Sequence, residues 1–235
     1  MDRSRPDTDM DTGGILVVDK PLGVTSHDVV AYVRRRFRIK KVGHAGTLDP
    51  GATGVLVLLL GKATKLSGTF LNQDKEYEAV LRLGTRTDSG DLDGKVISMG
   101  EVSATADEIT SVIKSFQGEI EQIPPMFSAK KIDGKKLYKF ARKGIEIERE
   151  PRKVTIKEIQ ITNIAVPEIA FRVVCTKGTY IRKLAEDIGE KIGCGAVLAG
   201  LRRTRSGDIG LTSAVTVDEL SGMDRKTFDE NILRV

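Results

Sequence analysis

The sequence predicts an α+β fold built on a mixed, largely antiparallel sheet flanked by helices and loops, and three observations support this prediction. Apolar and polar residues alternate along several segments, as they do in half-buried strands. Other segments repeat apolar residues at helical spacing. Strands and helices do not alternate regularly along the chain, so a parallel α/β sheet is not favoured. The expected strands cover residues 75–84, 154–166 and 169–175, and the expected helices begin near residues 26, 105, 179 and 216.

The expected helices carry recognisable start and stop signals. Ser26 can cap the first helix, whose apolar residues leave a run of arginines outward. These apolar residues are Val29, Val30, Val33 and Phe37. Thr105 and Thr216 are each followed three residues later by a glutamate, which is the pattern of a capping box. The helix over residues 179–192 is expected to end at Gly193.

The most unusual segment is a glycine-rich loop with a single carboxylate. Residues 43–54 read GHAGTLDPGATG and lead into an apolar run over residues 55–60 that is expected to be a buried strand. Pro50 disfavours helical geometry at Asp49, so a tight turn should present this side chain. A purely structural turn, in which the aspartate caps the loop, is the alternative interpretation.

Composition bounds the class of protein. The net charge is +5, and neither the two histidines, His27 and His44, nor the two cysteines show the spacing of a metal site. Residues 1–12 mix acids and bases without an apolar block and are expected to form a disordered tail. The longest apolar run has six residues, far short of the roughly 20 that span a membrane. We expect a soluble, cytoplasmic protein without a metal.

Basic residues fall into three clusters, which suggests a phosphate backbone as partner. Residues 34–41 precede the Asp49 loop directly, and residues 126–157 hold eleven Lys or Arg against four Asp or Glu. The third cluster is Arg202, Arg203 and Arg205.

Several motifs, in the same order along the chain, resemble those of the TruB family of tRNA pseudouridine synthases. The segment GHAGTLDPGATG closely resembles the catalytic loop of that family. The further matches are KP at 20–21, KEYEA at 75–79, PPMFSA at 124–129, KGTYIR at 177–182 and LRRTRSG at 201–207. The resemblance covers residues 13–216 and implies the pseudouridine synthase fold, with one catalytic domain over residues 13–235.

The resemblance implies isomerisation of uridine to pseudouridine at position 55, in the T arm of tRNA, with no cofactor and no metal. Asp49 is the implied catalytic carboxylate, and Arg182 is implied to pair with it. A nearby guanidinium would keep that carboxylate ionised. Tyr77 is implied to stack on the target uracil. The residues themselves leave open whether Asp49 attacks the sugar, attacks the base or removes a proton.

The family also implies roles for residues around the pocket. Leu201 would line its opposite side, Tyr180 would pack beneath the base, and Lys20 would brace the loop or a phosphate. His44 would fill the stack left by the flipped uridine. Gly46, Thr47 and Lys130 are expected to contact RNA. Residues 124–153, rich in lysine with interleaved aromatic residues, are expected to clamp the T arm.

Some expectations qualify this interpretation. TruB proteins usually carry a C-terminal RNA-binding domain of the PUA type, and we expect none here. Helical spacing places Arg182 on the helix face opposite the apolar residues. Residues 88–93, which carry three carboxylates, are interpreted as a solvated turn. A tRNA-folding chaperone and a guide-dependent synthase are the alternatives. A monomer is expected.

Overall fold

The computed structural model describes residues 13–128, 131–132, 135–137, 140 and 144–234. The expected disordered tail, residues 1–12, and Lys130 lie outside the described residues. The chain divides into two compact units, Met1–Gln73 with Arg202–Val235, and Asp74–Leu201. The single catalytic domain expected over residues 13–235 stays a prediction.

The described strands and α-helices are numbered here in their order along the chain. The strands are β1 (Gly14–Lys20), β2 (Val42–His44), β3 (Ala52–Leu60), β4 (Lys75–Leu83), β5 (Thr85–Thr87), β6 (Val96–Met99), β7 (Gly118–Gln122), β8 (Lys131–Ile132), β9 (Lys135–Lys136), β10 (Arg152–Ala165), β11 (Glu168–Cys175), β12 (Ala196–Ser206), β13 (Ile209–Gly210) and β14 (Val215–Thr216). The α-helices are α1 (Ser26–Arg36), α2 (Ser67–Leu71), α3 (Ala106–Lys114), α4 (Ile181–Ile192), α5 (Val217–Gly222) and α6 (Arg225–Glu230).

The first unit is organised by β1 and β3, which pair antiparallel along their length, with Leu16 opposite Leu58. On its other side β1 pairs parallel with β14, so the sheet is mixed. Helix α1 buries its expected apolar residues, and Phe37 stacks on Phe228 of α6 with ring centroids 3.7 Å apart. The buried strand expected at residues 55–60 is confirmed within β3, which is almost wholly inaccessible to solvent.

The second unit contains the antiparallel strand order β4-β11-β10-β7. Helices α3 and α4 contribute Ile109 and Leu184 to one core together with Leu81 and Phe171 from the strands. All three expected alternating strands are present in this unit, because one side of each strand meets the helices and the other side remains accessible.

The capping predictions are confirmed at two helices and wrong at a third. Thr105 and Thr216 each form the expected capping box. The N-cap of α1 is Thr25 rather than Ser26, because the Thr25 hydroxyl accepts from Asp28 N while the Asp28 carboxylate accepts from Thr25 N. The Ser26 side chain is therefore left for another contact.

Candidate active site

The Asp49 loop connects β2 to β3 and is held to its surroundings by backbone hydrogen bonds. The Asp49 carbonyl accepts from Ala52 N at 3.0 Å, which closes the turn at Pro50. The Pro50 carbonyl accepts from Gly23 N, in the turn between β1 and α1, at 2.9 Å. Asp49 itself is half-buried. The tight turn predicted around this carboxylate is therefore present.

The residue before Asp49 is held by a side chain. The Ser26 hydroxyl accepts from Leu48 N at 2.8 Å and donates to Leu48 O at 3.0 Å. Both residues are buried. One hydroxyl thus satisfies both polar groups of the Leu48 backbone in a site shielded from water, where an unpaired backbone group would be costly.

Arg203 holds the same loop from β12. Its side chain is 1% exposed, and it donates from Nε to Val55 O at 2.7 Å and from Nη2 to Gly46 O at 3.1 Å. Gly54 has a φ of +101°, and a Cβ there would clash with the Arg203 backbone. The expectation that the Arg202–Arg205 cluster faces phosphate is wrong for Arg203, because its guanidinium is used inside the protein.

Lys20 lies buried beside this loop. It is 0% exposed, and its ammonium donates to Pro21 O at 2.8 Å and to Val24 O at 2.7 Å. Burial lowers the pKa of Lys20 to about 8, and the attraction of Asp49 opposes part of that decrease. Of the two roles expected for Lys20, bracing agrees with these contacts, since an ammonium with no exposed surface does not meet a phosphate in this structure.

The other expected residues of the first unit lie in or next to the loop. His44 is half-buried at the end of β2, opposite Leu58 of β3. Thr47 is exposed, and Gly46 is partly exposed. The structure therefore brings five of the expected site residues to one loop and its support: Lys20, His44, Gly46, Thr47 and Asp49.

The second unit holds the expected aromatic residues. Tyr77 is half-buried on β4, opposite Val173 of β11, and packs against the core of this unit. Tyr180 is the N-cap residue of α4, and Gln122 binds its backbone from β7. The Gln122 amide accepts from Tyr180 N at 3.0 Å and donates to Tyr180 O at 3.3 Å. Leu201 packs against the same core.

Arg182 lies in the first turn of α4 and contacts two distant segments. Its guanidinium donates to Ser89 O at 2.9 Å and to Phe127 O at 2.6 Å, and it lies 3.5 Å from the Asp91 carboxylate. The side chain is 7% exposed, so its expected place on an outward helix face is wrong. The interpretation of residues 88–93 as a merely solvated turn is wrong for Ser89 and Asp91, which are partners of Arg182.

Sequence reasoning missed Ser26, Gln122 and Arg203 as residues that support the site. The sequence indicated Ser26 only as a helix cap and Arg203 only as part of a basic cluster and a family motif, and it gave no role to Gln122. The partners of Ser26 and Arg203 lie 22 and 148 to 157 positions away. A buried polar side chain bonded to distant backbone has no local signature. Among the residues that the structure describes, no group of three or more potential metal ligands occurs, and no helix is long and apolar enough to cross a membrane.

Comparison with known proteins identifies the family. Residues 34–181 match the TruB family pseudouridylate synthase N-terminal domain, and residues 182–235 match the tRNA pseudouridylate synthase B C-terminal domain. A tRNA pseudouridine synthase B of Alkaliphilus oremlandii is 52% identical over 90% of this chain and 71% of its own length. A second protein of that name, from Opitutus terrae, is 48% identical over 94% of this chain and 92% of its own length.

A solved structure supports the fold. A chain in the crystal structure of a Cbf5-Nop10-Gar1 complex aligns with a TM-score of 0.74 and 32% identity, over 98% of this chain. This chain spans 62% of the length of that one. The expected pseudouridine synthase fold is confirmed. By these matches, this chain belongs to the TruB family of pseudouridine synthases, which are isomerases.

Proposed function

We propose that this protein converts uridine to pseudouridine in the T loop of tRNA, at position 55, with Asp49 as the catalytic carboxylate. The observation that carries the proposal is the turn at Pro50, which presents one carboxylate from a backbone bound at Leu48 and at Pro50. Preorganised geometry of this kind is what positioning a reactive group requires. The two relatives described above are named for tRNA pseudouridine synthesis.

The proposed reaction balances without a cofactor. The bond between N1 of uracil and C1′ of ribose breaks, the base turns in the pocket, and a bond forms between C5 and C1′. The proton on C5 is lost, and N1 gains one. Asp49 can act as a nucleophile or as a base in this sequence, and both routes need it ionised. Arg182 is the proposed partner that favours this form.

The uridine must leave its stack to react, and the proposal assigns residues to that step. Tyr77 offers a half-buried ring on which the extruded uracil can stack. Tyr180 and Leu201 pack around the base, and His44 fills the space that the base leaves. Gly46, Thr47 and Lys130 contact RNA, and the basic segment 124–153 clamps the T arm. A monomeric state and a cytoplasmic location stay predictions.

One assay tests the reaction. The wild-type protein and the Asp49→Asn variant are incubated with an unmodified tRNA transcript, and the T-loop uridine is assayed for pseudouridine. We expect conversion by the wild type and none by the variant, with RNA binding retained by both. Asp208→Asn, at an exposed aspartate between β12 and β13, is the matched control and should remain active.

Two outcomes would change the proposal. Conversion by Asp49→Asn at the wild-type rate would remove Asp49 from the chemistry. Binding without conversion by the wild type would favour a tRNA-folding chaperone, which is one of the two alternative interpretations of the sequence.

A further inference from the structure

The Ser26 hydroxyl is not needed by the helix that it begins. Thr25 and Asp28 already form the capping box of α1, with Thr25 N donating to the Asp28 carboxylate at 2.9 Å and Asp28 N donating to the Thr25 hydroxyl at 3.1 Å. A serine at this place would ordinarily turn its hydroxyl to solvent or to the nearest helix backbone. Instead it is 2% exposed and reaches a residue 22 positions away.

Ser26 both accepts from and donates to the Leu48 backbone, and this contact is shielded from water. Leu48 N donates to the hydroxyl at 2.8 Å, and the hydroxyl donates to Leu48 O at 3.0 Å, so both polar groups of this loop residue depend on one side chain. Leu48 is itself buried at 3% exposed, which leaves water little access as a substitute. The Leu48 carbonyl belongs to the peptide that joins Leu48 to Asp49.

The position of Asp49 follows from this contact and from one on its other side. Pro50 has a fixed φ, and its carbonyl accepts from Gly23 N at 2.9 Å. Leu48 is therefore bound to the first residue of α1, and Pro50 is bound to the turn that precedes this helix. Without the Ser26 hydroxyl, the Leu48 backbone would lose both of these hydrogen bonds, and the backbone before Asp49 could move.

We infer that Ser26 is a positioning residue for the reaction, which sets the place of the Asp49 carboxylate by holding the Leu48 backbone. The inference rests on the proposed function of Asp49. A displacement of a reacting group by about 1 Å can cost up to about 100-fold in rate. Loss of the Ser26 hydroxyl should therefore slow the chemical step much more than it weakens RNA binding.

The experiment compares Ser26→Ala with Thr25→Ala by single-turnover conversion of tRNA transcript, with the enzyme in saturating excess, and by direct RNA binding. Thr25→Ala removes the N-cap of α1 at the neighbouring residue and leaves the contact between Ser26 and Leu48 intact. This variant therefore measures the effect of a less stable helix without loss of the Leu48 hydrogen bonds. We expect the rate to fall about 10-fold to 100-fold in Ser26→Ala, with Kd within about twofold of wild type, and to stay within about twofold in Thr25→Ala. Ser26→Thr restores a hydroxyl and should recover most of the rate.

The inference would be overturned by a Ser26→Ala rate within twofold of wild type, or by an equal loss in Thr25→Ala. If Ser26→Ala does not fold, the inference is tested instead by measuring the hydrogen-exchange rate of the Leu48 amide in the wild-type protein. We expect this amide to exchange at least about 100-fold more slowly than in an unprotected peptide, and unprotected exchange would overturn the inference. Absence of conversion by the wild type would instead count against the proposed function, which separates the two failures.

Discussion

Gln122 binds both polar groups of the Tyr180 backbone, accepting from its N–H at 3.0 Å and donating to its carbonyl at 3.3 Å. Tyr180 begins α4 without a side-chain cap of its own, and Gln122 is almost completely buried. A side chain on β7 thus fixes the start of the helix that carries Arg182. The orientation of Arg182 therefore depends on a residue 60 positions earlier in the chain.

Replacement of Gln122 by alanine should destabilise the protein by about 1 to 2 kcal/mol, because the Tyr180 N–H loses its partner and the Tyr180 carbonyl keeps only the hydrogen bond from Leu184 N. Chemical denaturation measures this change. Gln117→Ala is the control, since Gln117 is exposed and makes a single 3.4 Å hydrogen bond to Lys157 O. Its free energy of unfolding should stay within about 0.5 kcal/mol of wild type. Equal losses in the two variants would contradict the role given to Gln122.

Replacement of Arg203 by methionine should destabilise the protein by about 3 kcal/mol. The carbonyls of Val55 and Gly46 would lose their donor, and methionine keeps the apolar volume but offers no hydrogen bond. Arg35→Met, at an exposed position of α1, is the control and should leave unfolding almost unchanged. A fully stable Arg203→Met protein would show that the buried guanidinium is not needed to hold the loop.

Gly54→Ala should be far more damaging than Gly193→Ala, although the two glycines have nearly equal φ angles of +101° and +98°. Gly193 has no atom within 4 Å of an added Cβ, so alanine there costs only the backbone strain of about 1 to 2 kcal/mol. At Gly54 the Cβ would also meet the Arg203 backbone. Melting temperatures of the two variants measure the difference, and similar values would contradict the close approach.

The stability of the protein should respond to pH through Lys20. Its pKa is about 8 in the folded protein, against a usual value of 10.5, so the unfolded chain binds more protons between these values. The free energy of unfolding should therefore rise as the pH increases from 8 to 10.5. At neutral pH the buried, charged ammonium of Lys20 costs about 3 kcal/mol of stability, and this cost disappears as the group loses its proton.

Urea unfolding of the wild type and Lys20→Met at pH 7 and pH 10 tests this coupling. We expect the wild type to gain stability relative to Lys20→Met by about 2 to 3 kcal/mol at the higher pH. Lys226→Met, at an exposed position of α6, corrects for the general effect of removing a lysine. A difference between wild type and Lys20→Met that does not change with pH would contradict the proposed coupling.

Much of the fold could be predicted because its signals are local. The alternation along β4 and β11 and the capping boxes at Thr105 and Thr216 depend only on neighbouring residues and on the period of the backbone. The turn around Asp49 could likewise be predicted, since glycine permits a sharp turn and proline disfavours helical geometry in the residue before it. The resemblance to the family followed mainly from the amino-acid sequence of that loop.

The support of the site could not be predicted, because it depends on partners distant in sequence. Arg182 has the spacing of an outward residue, yet carbonyls of Ser89 and Phe127 surround its guanidinium. Arg203 sits in a basic run but is buried against the loop. The sequence by itself determined the alternating strands, most helix starts, the Asp49 turn and the family resemblance. Only the tertiary structure decided which polar side chains are buried, because that depends on which backbone groups folding brings within hydrogen-bond distance.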